Sequence, residues 1–300
     1  MNFKTFAELI ELKAKAASVF PFLLGLAYSL YHYQMANFLP LFLYFIAMFC
    51  FNCFVDIWDN YNDYHKAVDT EDYKKNTNII GRENLPIKTI RTLLIAFFSL
   101  SFFLGLGVAW LVGWPVFWLG LFCYFVGIFY SAGPKPLSSL PVGELASGLT
   151  MGYLIFLICV YINTSAAFVW NFESLALTFL VALPSILLIS NLMLANNTCD
   201  LEEDEANHRY TIVHYIGRKN ALRWWTMSIV LAYISIVVAV VLGVVSPLML
   251  LLFLLLPFIV KQARPYLQRQ VKKETFIVSV KILLVFSFAQ TILMLVSLAI

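Results

Sequence analysis

The stretch FLPLFLYFIAMFCFNCFVDIWDNYND, residues 38–63, decides the fold, because two features meet in it. From Phe38 to Phe51 no residue is charged, and the run continues with few interruptions to Trp58. A run of about 18 or more apolar residues is long enough to cross the hydrocarbon core of a bilayer. A backbone in lipid must satisfy its own hydrogen bonds, so the run predicts a helix. This helix emerges from the membrane carrying acids.

The rest of the chain repeats the apolar pattern. Of the 300 residues, 61% are hydrophobic and 12% are charged, whereas soluble domains carry about 25% charged residues. The first run is longer than the apolar core of a signal peptide and precedes no cleavage site, which predicts a retained span. The sequence predicts an all-α integral membrane protein, with about nine transmembrane helices around a central cavity that opens to the cytoplasmic side. The predicted spans are 16–34, 38–58, 92–112, 115–131, 145–163, 175–195, 224–243, 246–260 and 276–300.

The charges predict the orientation of these spans. With a cytoplasmic N-terminus, all 20 Lys and Arg residues fall on the cytoplasmic side, and of 17 Asp and Glu only Glu173 lies outside. This is the positive-inside pattern, and it places the C-terminus outside. The net charge of +3 therefore reflects membrane orientation and contact with anionic lipid, and does not indicate nucleic-acid binding. A bacterial plasma membrane is the predicted location.

No soluble domain separates from the rest, so residues 1–300 are predicted to form a single domain. Two weakly similar halves, about 1–142 and 143–300, each place an acidic cluster at the cytoplasmic end of an even-numbered helix. The five cysteines lie mostly within predicted spans and indicate neither a disulfide framework nor a zinc site. No obligatory protein partner is indicated.

The first acidic cluster lies at the end of the second span. Asn52, Asp56, Asp59 and Asp63 are spaced i, i+4, i+7 and i+11, so a helix places them on one face. The second cluster, at the end of the sixth span, has the same character. There Asn196, Asp200 and Asp204 are spaced i, i+4 and i+8, and Asn197 adjoins them.

Carboxylates near the membrane cost roughly 2.5–3.5 kcal/mol each on insertion scales, so they need partners. Hard oxygen ligands suit Mg²⁺, which usually takes one or two carboxylates and completes its shell with substrate phosphates. The two clusters predict two Mg²⁺ ions bridged by a diphosphate. The alternatives are solvated acids at helix ends, the preferred interpretation for Glu203 and Glu205, and acids that bind a coupling cation in a transporter.

Several basic residues on the same side suit the phosphates of such a substrate. Lys13, Arg82 and Arg209 are the preferred candidates, and the choice between Lys13 and Lys15 stays open. The others that the sequence offers are Lys88 and Arg218.

The paired motifs, Asn52-x-x-x-Asp56-x-x-Asp59 and Asn196-Asn197-x-x-Asp200-x-x-x-Asp204, resemble those of the UbiA-type intramembrane prenyltransferases. A third segment, Tyr130-Ser-Ala-Gly-Pro-Lys135-Pro-Leu followed by Gly143-Glu144, is similar to a segment of the 1,4-dihydroxy-2-naphthoate prenyltransferases. Val55 departs from that branch, in which Asn often precedes the first Asp. Which of Asp59, Asn60 and Asp63 binds metal stays open.

The resemblance implies a Mg²⁺-dependent enzyme that transfers a polyprenyl group from polyprenyl diphosphate to an aromatic acceptor. The implied acceptor is 1,4-dihydroxy-2-naphthoate, converted with loss of CO₂ to demethylmenaquinone in menaquinone biosynthesis. It further implies that Asp56, Asp59, Asp200 and Asp204 are the metal ligands and catalytic residues. The substrate-binding residues are expected to be Asn52, Asp63, Asn196, Asn197, Lys13, Arg82, Arg209, Tyr130 and Lys135.

Three alternatives remain from the sequence. The acceptor could be 4-hydroxybenzoate, homogentisate or a similar ring. A cation-coupled secondary transporter is disfavoured, because the acids lie at the cytoplasmic ends of the predicted spans and not at mid-membrane. A CDP-alcohol phosphotransferase is disfavoured because that family clusters its acids in one motif, whereas this sequence has two separate clusters.

Overall fold

The computed structural model describes residues 1–66 and 73–299. Residues 67–72, part of the first long polar stretch, and Ile300, the end of the last predicted span, lie outside the described residues. Within the described part the chain is helical and contains no strand, which confirms the predicted fold class.

Nine helices of the described residues are long and apolar enough to span a membrane, and they confirm the predicted number. We number them α1 to α9 in chain order. They are Leu12–Tyr33, Phe38–Lys66, Ile87–Val112, Trp114–Ser131, Gly143–Thr164, Phe172–Cys199, Ile212–Val241, Pro247–Gln268 and Ile277–Ala299. Shorter helices occupy Phe3–Leu9, Ile79–Arg82 and Leu201–Ala206.

Several helices extend beyond the predicted span boundaries by more than a turn, most of all at the start of α7 and at the ends of α2 and α8, and α8 ends at Gln268 and not at 260. Helix α7 begins at Ile212, twelve residues before the predicted start at 224, because residues 212–223 form a polar helical segment that hydropathy does not detect. Gly217 interrupts this segment with a positive φ of 75°. Helix α2 continues past the predicted end at 58 to Lys66, so the entire first acidic cluster is helical.

By its internal contacts the described chain divides into two compact units. The first comprises Met1–Lys15 and Leu39–Ser138, and the second comprises Ala16–Phe38 and Ser139–Ile300. Residues 16–38 therefore group with the second unit. The predicted single domain and the predicted central cavity stay predictions.

In the first unit, the acidic end of α2 is supported by apolar packing. Cys53 and Ile57 are fully buried and pack against residues that precede and follow α2 in the sequence. The other buried members of this core are Leu9, Ile10, Phe54, Ile79, Ile80, Ile90 and Leu94. Asn78 donates a hydrogen bond from its amide to the carbonyl oxygen of Asn60 (2.9 Å). The face of α2 opposite to the core is therefore the one that carries the acids.

Polar contacts fasten α4 to α2 within the same unit. Trp58 Nε1 donates to the carbonyl oxygen of Ile128 (3.1 Å). Lys66 Nζ donates to the carbonyl oxygens of Ser131 (3.0 Å) and Gly133 (3.1 Å), two acceptors that the end of α4 leaves unpaired. These contacts hold the C-terminal part of α2 against the end of α4.

In the second unit, small residues let α5 approach α6 closely. A Cβ built on Gly152 would lie 2.7 Å from the backbone of Ile186, so only glycine fits there. Two turns earlier on α5, the carbonyl oxygen of Glu144 accepts a hydrogen bond from Ser190 Oγ (3.0 Å). This close contact fixes the start of α5 beside the end of α6, where the second acidic cluster lies.

Candidate functional site

The first cluster holds a buried lysine. Lys15, in the first turn of α1, is 5% exposed and forms an ion pair with the Asp56 carboxylate, and its Nζ also donates to the carbonyl oxygen of Asn52 (3.0 Å). The Asp56 side chain is 24% exposed. The position where an Asn and an Asp lie one helical turn apart is thus occupied by a cationic nitrogen.

The other members of the first cluster are placed differently. The amide of Asn52 donates back to the carbonyl oxygen of Met48 (2.9 Å), and the amide of Asn60 does the same to Asp56 (3.0 Å). Asp59 and Asp63 lie half-buried on the same helix. Among the described residues, no Lys, Arg or His nitrogen lies within ion-pair distance of the Asp59 carboxylate.

The second cluster repeats the arrangement with a different lysine. Lys272 Nζ contacts Asn196 Oδ1 (2.5 Å) and forms an ion pair with the Asp200 carboxylate. Asn196 Nδ2 in turn donates to Asp200 Oδ2 (3.2 Å). Here both side chains bind the ammonium group, whereas in the first cluster Asn52 contributes its backbone carbonyl oxygen.

Asp204 lies on the short helix Leu201–Ala206 and is 6% exposed. Its Oδ1 is 3.2 Å from Arg209 Nε, whereas no hydrogen-bond donor of the described residues reaches its buried Oδ2. Burial raises the pKa of Asp204 to about 6, although the Arg209 guanidinium opposes that shift. A buried carboxylate oxygen that lacks a donor is a suitable ligand for a cation.

Glu144 and Asn197 adjoin this cluster. Glu144 is 8% exposed, and its Oε1 accepts a hydrogen bond from Asn197 Nδ2 (2.7 Å). No donor in the described part of the chain reaches Glu144 Oε2. The sequence places Glu144 in the segment that follows α4 but does not reveal its contact with Asn197, because 53 residues separate the two.

Among the described residues, no ion pair places the remaining predicted basic residues at the Asp side chains of either cluster. Lys13 and Lys135 are exposed. Arg82 Nη2 is bound to Glu8 Oε1 (2.6 Å), and this partner raises the pKa of the guanidinium. Tyr130 lies half-buried in the last turn of α4.

The residues present fit a divalent cation that relies on its substrate for ligands. In the described residues no three His, Cys, Asp or Glu side chains converge into a metal cage. Magnesium does not require one, since one or two carboxylates with phosphates and water suffice. The lysines at Asp56 and Asp200 show that these carboxylates attract positive charge, and Asp204 Oδ2 meets no donor of the described residues.

The model of the UbiA prenyltransferase family matches residues 18–298, a range that includes both clusters. The chain belongs to the UbiA prenyltransferase family. The resemblance inferred from the two motifs is therefore confirmed, and neither the transporter nor the phosphotransferase alternative is favoured.

One curated relative is the 1,4-dihydroxy-2-naphthoate octaprenyltransferase of Bacillus subtilis (strain 168). It is 29% identical over 259 residues, which cover 85% of this chain and 79% of the relative. The similarity therefore extends over most of both proteins.

Solved structures share the fold of this family member. A digeranylgeranylglyceryl phosphate synthase superposes with a TM-score of 0.65 at 17% identity, covering 98% of each chain. A UbiA homolog from Archaeoglobus fulgidus bound to GPP and Mg²⁺ gives 0.63 at 16% identity, covering 96% of this chain and 99% of that one. A homolog from Aeropyrum pernix K1 gives 0.71 at 14% identity, covering 94% and 98%.

Proposed function

We propose that this protein transfers a polyprenyl group from polyprenyl diphosphate to 1,4-dihydroxy-2-naphthoate, giving demethylmenaquinone and CO₂. The structural observation that carries the proposal is that one carboxylate of each cluster, Asp56 and Asp200, binds a cationic nitrogen. The relative that acts as a naphthoate octaprenyltransferase supports the acceptor. We also propose the bacterial plasma membrane as the location, with a cytoplasmic N-terminus and the C-terminus outside.

Four carboxylates are proposed to hold the metal: Asp56 and Asp59 in the first cluster, and Asp200 and Asp204 in the second. Two Mg²⁺ ions bridged by the diphosphate are the proposed cofactor, and the homolog bound to GPP and Mg²⁺ supports the metal. When bound, Mg²⁺ supplies positive charge that stabilises the diphosphate as a leaving group.

Basic side chains add to that charge. Arg209 already lies at Asp204, and Lys15 lies at Asp56, so both are proposed to contact phosphate oxygens. The geometry supports Lys15 in this role over Lys13, because Lys15 points at the carboxylate and Lys13 is exposed. Lys135, Arg82, Tyr130 and Asp63 stay candidates for binding substrate.

The reaction balances without an added oxidant or base. The bond between C1 of the prenyl chain and the diphosphate oxygen breaks, and its electron pair leaves with diphosphate. C1 then bonds to the ring carbon that carries the carboxylate, and loss of CO₂ returns a bonding pair to the ring. Membrane helices that exclude bulk water would protect the allylic cation from hydrolysis.

The test incubates purified protein with Mg²⁺, octaprenyl diphosphate and 1,4-dihydroxy-2-naphthoate, and measures prenylated product, CO₂ and diphosphate. Asp56→Asn and Asp200→Asn should each lower the rate by at least about 100-fold, as expected when a group that stabilises transition-state charge is lost. Glu203→Gln is the matched control, because Glu203 is exposed and adjoins Asp204.

Three outcomes would change the proposal. Product with 4-hydroxybenzoate or homogentisate, and none with the naphthoate, would keep the enzyme class and replace the acceptor. Full activity in EDTA would refute the metal. Equal losses in Glu203→Gln and Asp200→Asn would refute the assignment of the second cluster.

A further inference from the structure

Lys272 is held in place by the turn that carries it. Thr275 N donates to the carbonyl oxygen of Val271 (2.8 Å), and Val271 N donates to Thr275 Oγ1 (2.9 Å). Thr275 is 6% exposed, so the turn between α8 and α9 is anchored by a buried side chain. The Lys272 ammonium also lies 5.6 Å from the centroid of the Phe276 ring, within the range of a cation–π contact.

The contacts of Lys272 are with the oxygens proposed to serve the metal. Its Nζ binds Asn196 Oδ1 and the Asp200 carboxylate, 76 and 72 residues away in sequence. An exposed lysine that forms one ion pair contributes little to stability, since fixing its long side chain costs entropy. Contacts with two oxygens and an aromatic ring are more than a solvated surface lysine usually makes.

The lysines of the two clusters differ in their exposure to solvent. The Lys15 side chain is 6% exposed, so it cannot leave Asp56 without opening the packing around it. The Lys272 side chain is 46% exposed and can swing into solvent by rotation of its own bonds. The two clusters also differ in charge balance. Lys272 and Arg209 together balance Asp200 and Asp204, whereas Asp59 in the first cluster has no basic partner among the described residues.

We propose that Lys272 is an exchangeable counter-ion of the second cluster. It neutralises Asp200 while the protein is free of metal, and a divalent cation displaces it from Asn196 and Asp200. Lys272 thus sets the metal concentration at which the second cluster fills, and acts on metal binding and not on the reacting atoms. This inference rests on the proposed function of the same site.

The test measures metal binding and thermal stability in detergent. Mn²⁺ binding is followed by the electron paramagnetic resonance of free Mn²⁺, with and without inorganic diphosphate, and the unfolding midpoint is measured in EDTA. The variants are Lys272→Met, Lys272→Arg and, as a matched control on the same turn, the exposed Lys273→Met.

Exchange predicts opposite effects on the two readouts. Lys272→Met should bind Mn²⁺ about two- to fivefold more tightly, the factor that corresponds to an exposed ion pair, and should unfold at a lower temperature in EDTA. Its midpoint with Mn²⁺ and diphosphate should equal that of the unmutated protein. Lys272→Arg should restore the original affinity, and Lys273→Met should change neither value.

A structural role for Lys272 would lower the midpoint with and without metal, and would overturn the proposal. Mn²⁺ binding that is unchanged or weaker in Lys272→Met would overturn it as well. If the unmutated protein prenylates its acceptor and Lys272→Met is indistinguishable from Lys273→Met, this inference alone fails. If the unmutated protein neither binds Mn²⁺ with diphosphate nor transfers a prenyl group, the proposed function fails and the inference with it.

Discussion

Replacing Lys15 by methionine should destabilise the metal-free protein, because it removes one partner of a buried ion pair. Lys15 is 5% exposed, and Asp56 would keep a largely buried charge that no cation balances. Breaking such a pair costs about 3–5 kcal/mol, and the partial exposure of Asp56 places the expected loss near ~3 kcal/mol. At about 2–4 °C per kcal/mol for a large domain, the unfolding midpoint should fall by roughly 6–12 °C.

The assay is thermal unfolding in detergent with EDTA, followed by tryptophan fluorescence. Lys13→Met is the matched control, since Lys13 lies two residues away and is exposed. The double variant Lys15→Met/Asp56→Asn removes both charges, so it should recover more than half of the loss. The difference between single and double variants isolates the ion pair from the packing of the lysine stem.

Two results would refute this reasoning. An equal fall of the midpoint in Lys13→Met would mean that burial of Lys15 is not the cause. A double variant as unstable as Lys15→Met would mean that the unpaired Asp56 carboxylate contributes nothing, and that the lysine acts through its aliphatic stem.

Two further predictions concern the second unit. Glu144→Gln should leave stability unchanged because it keeps an acceptor for Asn197 Nδ2, whereas Glu144→Ala should cost about 1–3 kcal/mol by leaving that donor unpaired; equal unfolding midpoints for the two variants would refute the role of the hydrogen bond. Burial raises the pKa of Asp204 to about 6, above its value in an unfolded chain, so the folded state binds the proton more tightly. The contribution of Asp204 to stability in EDTA should therefore be largest below about pH 4 and fall by ~2–3 kcal/mol as the pH rises through 6; Asp204→Asn should remove this part of the pH dependence, and an unchanged profile would contradict the cause.

The sequence predicted the membrane fold because hydropathy alone encodes it. Nine apolar runs became nine helices of membrane-spanning length, and the family resemblance of the two motifs was confirmed. The start of α7 was missed, since residues 212–223 carry His214, Arg218 and Lys219 and form a helix without an apolar run. Hydropathy finds the part of a helix that lies in lipid and not its polar extension.

For the candidate site, the sequence could predict only the local arrangement within each cluster. The spacing of Asn52 with Asp56, and of Asn196 with Asp200, follows from helix periodicity within one segment. The lysines that bind these pairs come from distant segments, and positive-inside loops contain many lysines that look alike in sequence. Lys13 was preferred over Lys15 although only Lys15 is buried at the carboxylate, because two residues in a tight turn point in different directions.

The two clusters share one local solution to the cost of acids near a membrane. In each, an Asp carboxylate binds a lysine from another segment, so the carboxylate stays neutralised when no metal cation is bound. The two clusters differ in how fully basic side chains balance their carboxylates. The first cluster retains Asp59, which has no basic partner in the described chain, and so it can accept a cation while Lys15 stays. The second is balanced by Lys272 and Arg209, so a cation can enter only as a lysine leaves. Metal binding at the second cluster should therefore depend on Lys272, and at the first it should not depend on movement of Lys15.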